Sequence, residues 1–202
     1  DHVGGAASLL EALPVYSILS PRAEAVPRDW FRRCRAGDGW NWDGVRFRLL
    51  HPLSDAPTAG NNSSCVLQVE AGEHRVLLSG DIEASAERRL VAEWGQELAA
   101  HVLVAPHHGS ATSSTGEFLD RVSPELALFA VGYRNRWGFP KEEILARYRA
   151  RNIRTWSTAA LGSIRVQLEP GHPLELHGYR RPKPRFWREN RQIKYDAIGP
   201  GR

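Results

Sequence analysis

Methionine is absent from the 202 residues, and cysteine occurs only at positions 34 and 65. Two cysteines that far apart form no Cys-x-x-Cys pair, which argues against a zinc knuckle or a multi-bridge scaffold. One Cys34–Cys65 bridge is open as an alternative, but buried free thiols are the expectation. Long apolar runs are missing as well; none approaches the roughly 20 residues of a helical membrane span. No basic or apolar leader opens the chain, so no signal peptide is expected. A chain that starts at Asp1-His2, inside a motif, is expected to be a fragment. Lysine is scarce (Lys141, Lys183, Lys194), and arginine carries most of the positive charge. What remains is ordinary globular composition, 42% hydrophobic and 25% charged, which excludes global disorder.

The net charge of +4 is unevenly placed. Residues 179–202 hold eight basic side chains against two acidic ones, and the rest of the chain is slightly negative. Residues 1–178 are therefore expected to form one domain and 179–202 a basic, aromatic-containing tail. Such a tail could neutralise phosphates and stack on bases, hold an anionic membrane surface, or be a solvated end.

Periodicity predicts helices over residues 3–13, 27–35, 83–98, 115–122 and 141–150. Short β-rich runs fall at 15–19, 45–50, 101–105, 126–131, 152–156, 163–168 and 174–178. The runs Cys65–Glu70 and His74–Asp81, joined through Ala71-Gly72-Glu73, read as a hairpin. Strands alternating with helices after a hairpin predict an α/β layered fold with a mixed sheet.

The residues able to do chemistry sit at the ends of apolar runs, where α/β folds build sites. They are Asp1-His2, then Asp81 after Val76-Leu77-Leu78, then His107-His108 after Val102-Leu103-Val104. Carboxylate and imidazole together suit zinc, manganese or iron. A bridging carboxylate such as Asp81 would serve a two-metal site acting at phosphorus. Each motif alone has an ordinary reading: Gly80-Asp81 as a turn, and the histidine pair as loop polarity.

In combination, DHVGG, NNSSCVLQVE, SGDIE, PHHGS and NRWGFP resemble the C-terminal metallo-β-lactamase-fold domain of the ComEC family of DNA-internalisation (competence) proteins, from Asp1 to about Gln167. The resemblance implies an αββα sandwich lacking its first strands and the His-x-His half of the first metal motif. It implies a metal-dependent hydrolase, a nuclease for the DNA strand not taken up, with two divalent ions (manganese or zinc) and no small-molecule cofactor. Implied partners are DNA, the membrane-embedded channel portion of a multi-pass protein of the cell membrane, and other competence proteins. Asp1, His2, Asp81 and His107 or His108 match ligand positions, with His107 favoured because it comes first after the strand. The same resemblance implies that Asp1 and Asp81 are the catalytic residues.

Phe139 stands where many relatives have histidine, so it is not counted as a ligand. Asn62, Ser64, Ser110, Thr112, Asn135 and Arg136 are candidate substrate contacts, with turn formation, helix capping or loop packing as their alternatives. His51 is assigned to structure or substrate contact, and His74, His101, His172 and His177 to structure. Two further readings stay open: a non-catalytic DNA-binding or channel-gating module, and a hydrolase of another ester on the same fold.

Overall fold

The alternating runs around the hairpin become the centre of a seven-stranded sheet. The structure is a computed structural model, and it describes residues 5–21, 31–54 and 60–180. The large sheet has the order β3 (Gly39–Trp42), β4 (Val45–His51), β5 (Val66–Ala71), β6 (His74–Leu78), β7 (Val102–Val104), β8 (Leu126–Phe129), β9 (Arg154–Ser157). Strands β3 to β6 pair antiparallel, and β6 to β9 pair parallel. The switch follows from the connections. A tight turn joins β5 to β6, whereas helices carry the chain from β6 onward, and parallel neighbours require such crossovers. Two small sheets flank this one: β1 (Ile18–Ser20) with β2 (Phe31–Arg33), and β10 (Ile164–Gln167) with β11 (Glu175–Gly178).

The remaining helices are α1 (Ala6–Ala12), α2 (Ala84–Trp94), α3 (Gly116–Val122), α4 (Glu142–Arg149) and α5 (Thr158–Leu161). Leu77, Leu103 and Ala127 are fully buried on one side of the sheet and share a cluster with Leu90 of α2, Phe118 of α3 and Ile144 of α4. Burying each such side chain is worth about 1.5–3 kcal/mol, so this helix-covered face fixes the sheet. On the opposite face Val102 and Leu126 are fully buried, and cover falls away toward the ends of the strands. Val104 and Leu128 are half-buried there, and Leu78 is exposed.

Two expectations are corrected. The helix expected over 27–35 is not found where that segment is described: Phe31–Arg33 is a strand, paired in parallel with Ile18–Ser20. A three-residue element is decided by its tertiary partner rather than by its own period. The cysteines are not free thiols, because Cys34 and Cys65 form a disulfide with Cα atoms 6.0 Å apart. Cys34 lies just past β2 and Cys65 just before β5, a proximity that only the tertiary fold creates. Strand β3 was not anticipated; its Gly-Trp-Asn-Trp run pairs with β4 at the edge of the sheet. Asp1 and His2, and residues 181–202 of the expected tail, lie outside the described residues.

Candidate metal centre

The two parallel strands β6 and β7 end side by side, with Leu78 opposite Val104 in register. The loops that follow therefore emerge together. Gly80 begins the first at φ +57°, and a Cβ there would stand 2.9 Å from Ser64 Cβ. Glycine is required for that approach. It lets Asp81 donate its backbone N–H to Ser64 Oγ at 3.2 Å. The Ser64 hydroxyl in turn donates to the Asn61 carbonyl at 2.8 Å. Asp81 is buried, at 9% exposure.

The second loop, Pro106–Ser110, carries both histidines in left-handed backbone, with φ +47° at His107 and +55° at His108. Non-glycine residues rarely take that conformation, and where they do the surroundings must hold them. Several contacts do so. The His107 N–H donates to the Gly80 carbonyl at 3.0 Å, tying the two loops together. Ser113 Oγ reaches the Pro106 carbonyl at 2.8 Å. Gly109 (φ +84°) lies against Phe129 and Pro140, where a Cβ would come within 2.6 Å of Pro140 Cβ.

The strain separates the two imidazoles. His108 Nε2 lies 3.4 Å from Asp81 Oδ1. His107 turns to a different carboxylate, with Nδ1 3.3 Å from Glu83 Oε1 and 3.3 Å from Thr112 Oγ1. Sequence position favours His107 as the ligand by a small margin; the imidazole that lies beside the Asp81 carboxylate is that of His108. Glu83 was not singled out from the sequence, yet it is the hub of this corner. Thr112 Oγ1 donates to Glu83 Oε1 at 2.9 Å. The Asn62 side-chain carbonyl accepts from the Glu83 N–H at 2.9 Å, and Asn61 and Asn62 donate to its carboxylate at 3.3 and 3.4 Å. The available signal was its place two residues after Asp81 in SGDIE, facing the polar run Asn61–Ser64.

Of the candidate substrate contacts, Asn62, Ser64 and Thr112 are thus engaged in this network, and Ser110 Oγ lies 3.1 Å from Thr112 Oγ1. Asn135 is occupied by its own loop: it donates to the carbonyls of Gly132 and Phe139 and accepts from the Phe139 N–H at 2.8 Å. Arg136 is exposed, over the Trp137 ring at 4.4 Å. His51 is fully buried, with Nδ1 donating to the Ser64 carbonyl at 2.9 Å, so it braces the turn that supports Asp81.

Asp81, His107 and His108 line one cleft of about 420 Å³ with Asn61, Val131, Trp137 and Phe139. Among the described residues, no group of three or more His, Cys, Asp or Glu side chains is placed to hold a metal ion. The donor types do fit one: a buried carboxylate and an imidazole converging at a cleft are what a borderline divalent cation takes.

Behind the histidine loop lies a buried acid. Glu87 of α2 is fully buried and accepts from the backbone N–H groups of Ser114 (2.5 Å) and Thr115 (2.8 Å). Burial pushes its carboxyl above the ordinary value of 4.5, against the pull of those hydrogen bonds and of Arg147. Arg147 donates to the carbonyls of Ser113 and Ser114, and Tyr148 OH meets Ser114 Oγ at 3.0 Å.

The sequence pattern of the Metallo-beta-lactamase superfamily matches residues 1–133, more than half of the chain. The chain belongs to the metallo-beta-lactamase superfamily. Among curated relatives, it is similar to the Uncharacterized protein YcaI of Escherichia coli, with 36% identity over 82% of this chain and 22% of that protein. It is similar to Recombination protein 2 of Haemophilus influenzae, with 34% identity over 82% of this chain and 21% of the relative. It is also similar to Competence protein ComA of Neisseria gonorrhoeae, with 41% identity over 69% of this chain and 20% of the relative. The chain thus spans about a fifth of the length of these relatives. The superfamily and the competence relatives agree with the resemblance carried by SGDIE, PHHGS and NRWGFP. Among the described residues, no helix is long and apolar enough to cross a membrane.

Proposed function

We propose that this metallo-beta-lactamase domain is the metal-dependent phosphodiesterase part of a ComEC-like DNA-uptake protein, acting on the strand that is not taken up. The observation that carries this reading is the meeting of Asp81 and His108, far apart in the chain, at 3.4 Å in one cleft. Asp81 and His108 would hold divalent metal, zinc or manganese, with Asp1 and His2 proposed to join them. When bound, the metal would act as a Lewis acid on a phosphoryl oxygen and lower the pKa of water.

The chain's own residues do the rest. Ser64 fixes the Asp81 loop through its hydroxyl. The left-handed histidine loop sets the two imidazoles on different partners. Glu83 and Thr112 orient His107 at Nδ1, leaving Nε2 on the side of Asn61, 3.5 Å away. His107 and the backbone of the Ser110–Thr112 turn would then contact substrate phosphate. DNA, the membrane channel portion and other competence proteins are the proposed partners.

The disulfide supports a location. Such bridges persist in oxidising compartments, so the domain is proposed to face the oxidising side of the cell membrane. A second reading, a non-catalytic DNA-binding or gating module, draws on the basic run of residues 179–202, with eight basic side chains against two acidic ones. The deciding experiment is cleavage of single-stranded DNA with added manganese or zinc. Loss of cleavage with EDTA and in Asp81→Ala supports the enzyme; cleavage unchanged in Asp81→Ala refutes it.

A further inference from the structure

Gly132, Asn135, Trp137 and Phe139 of one loop, Gly132–Lys141, line the same cleft as Asp81, and the composition of that loop is unusual. Three aromatic and three cationic side chains are interleaved along it: Tyr133, Arg134, Arg136, Trp137, Phe139, Lys141. No acidic residue occurs between Glu125 and Glu142. The six pair off as three aromatic–cation contacts in space. Arg134 lies 5.4 Å from the Tyr133 ring centre, Arg136 4.4 Å from Trp137, and Lys141 5.6 Å from Phe139.

The rings also step toward the candidate metal centre. Trp137 and Phe139 are nearly parallel, 13° between planes with centres 6.3 Å apart. Phe139 meets the His107 ring edge-on at 5.8 Å. Yet Trp137 stays 51% exposed and Tyr133 64%. A loop whose aromatics served only to pack would bury them, since each ring could remove 150–250 Å² from water. Here the backbone is held by another device, the Asn135 amide, which spans Gly132 to Phe139. Phe139 packs against the core, whereas the Tyr133 and Trp137 rings stay exposed.

We infer that the Gly132–Lys141 loop is a stacking platform for the bases of single-stranded DNA, delivering the strand to the Asp81–His108 cleft. Every base offers a ring face, so stacking is indifferent to sequence, and the interleaved cations neutralise the phosphates between stacked bases. A paired duplex hides its ring faces, so the platform selects unpaired strands. The inference rests on the proposed nuclease reading for its direction, but its binding step needs no metal.

The test is therefore made in EDTA, with the whole chain and fluorescein-labelled oligothymidylate against a duplex of equal length, read by anisotropy. Trp137→Leu is expected to weaken single-strand binding by about tenfold or more, the size of one lost base stack, and to leave duplex binding within about twofold. Trp137→Phe keeps a ring and restores most of the affinity. Arg136→Ala lowers the salt slope by about 0.7. Equal losses for single strand and duplex, or wild-type binding by Trp137→Leu, would overturn the platform. So would a Trp137→Phe variant as weak as Trp137→Leu. Because no cleavage is measured, these outcomes are separate from failure of Asp81→Ala to abolish hydrolysis, which would instead sink the nuclease reading.

Discussion

The two loops that face each other across the cleft are held in opposite ways. The Pro106–Thr115 loop is braced from outside itself: by Gly80 of the neighbouring loop, by Glu87 of α2, and by Arg147 and Tyr148 of α4. Its histidines are fixed in left-handed backbone. The Gly132–Lys141 loop is braced largely from within, by Asn135, and presents Tyr133 and Trp137 to solvent. Groups that must meet a cation within tenths of an ångström need a rigid support. A surface that receives many different bases tolerates, and uses, local adjustment. The two loops touch where the Lys141 N–H donates to the Gly109 carbonyl at 2.9 Å and Gly109 packs on Pro140, and again where Phe139 meets the His107 ring.

The largest expected effect is on chemistry. Asp81→Ala should reduce metal-dependent hydrolysis of a small phosphodiester by at least about 100-fold, while Asn135→Ala should change it by less than about threefold. Similar losses in both, measured by initial rates, would erase the distinction between the loops. Next is the disulfide beside the Ser64 turn. Cys34→Ser with Cys65→Ser should lower unfolding free energy by about 3 kcal/mol, read by urea denaturation, and the wild type should lose a similar amount in reductant. Third, Gly109→Ala should cost about 2 kcal/mol and, alone among these variants, should speed amide exchange in both loops.

The smallest effect is a slope. Glu87 has a raised folded-state pKa, so the native state binds its proton more readily than the unfolded chain. Its contribution to stability is therefore present below about pH 4.5 and falls as pH rises through the raised value. Glu87→Gln should flatten that fall above about pH 4.5, measured by denaturation at successive pH values. An unchanged slope would remove Glu87 as a strained brace of the histidine loop.

Much of the sheet was legible because period-2 runs and helical faces are local signals. Val66–Ala71, His74–Leu78 and α2 announce themselves in this way. Phe31–Arg33 and Gly39–Trp42 did not, since one depends on pairing with Ile18–Ser20 and the other follows a glycine-punctuated turn that resembles a helix stop. The Cys34–Cys65 bridge depends on β2 coming to rest near the start of β5, which no spacing rule reports. Asp81 and the histidine pair were visible as strand-end residues. Which histidine meets Asp81 was not, because the division is made by left-handed backbone at His107 and His108, and Glu83 emerged only through its spatial neighbours.

The most direct test of the central claim is a manganese or zinc titration followed by calorimetry on the wild type, Asp81→Ala, His108→Ala and His107→Ala. Asp81→Ala and His108→Ala should each weaken binding by tenfold or more, with His107→Ala affected less. Equal affinity in wild type and Asp81→Ala, or a loss in His107→Ala that exceeds that in His108→Ala, would contradict the assignment of Asp81 and His108 as the metal pair.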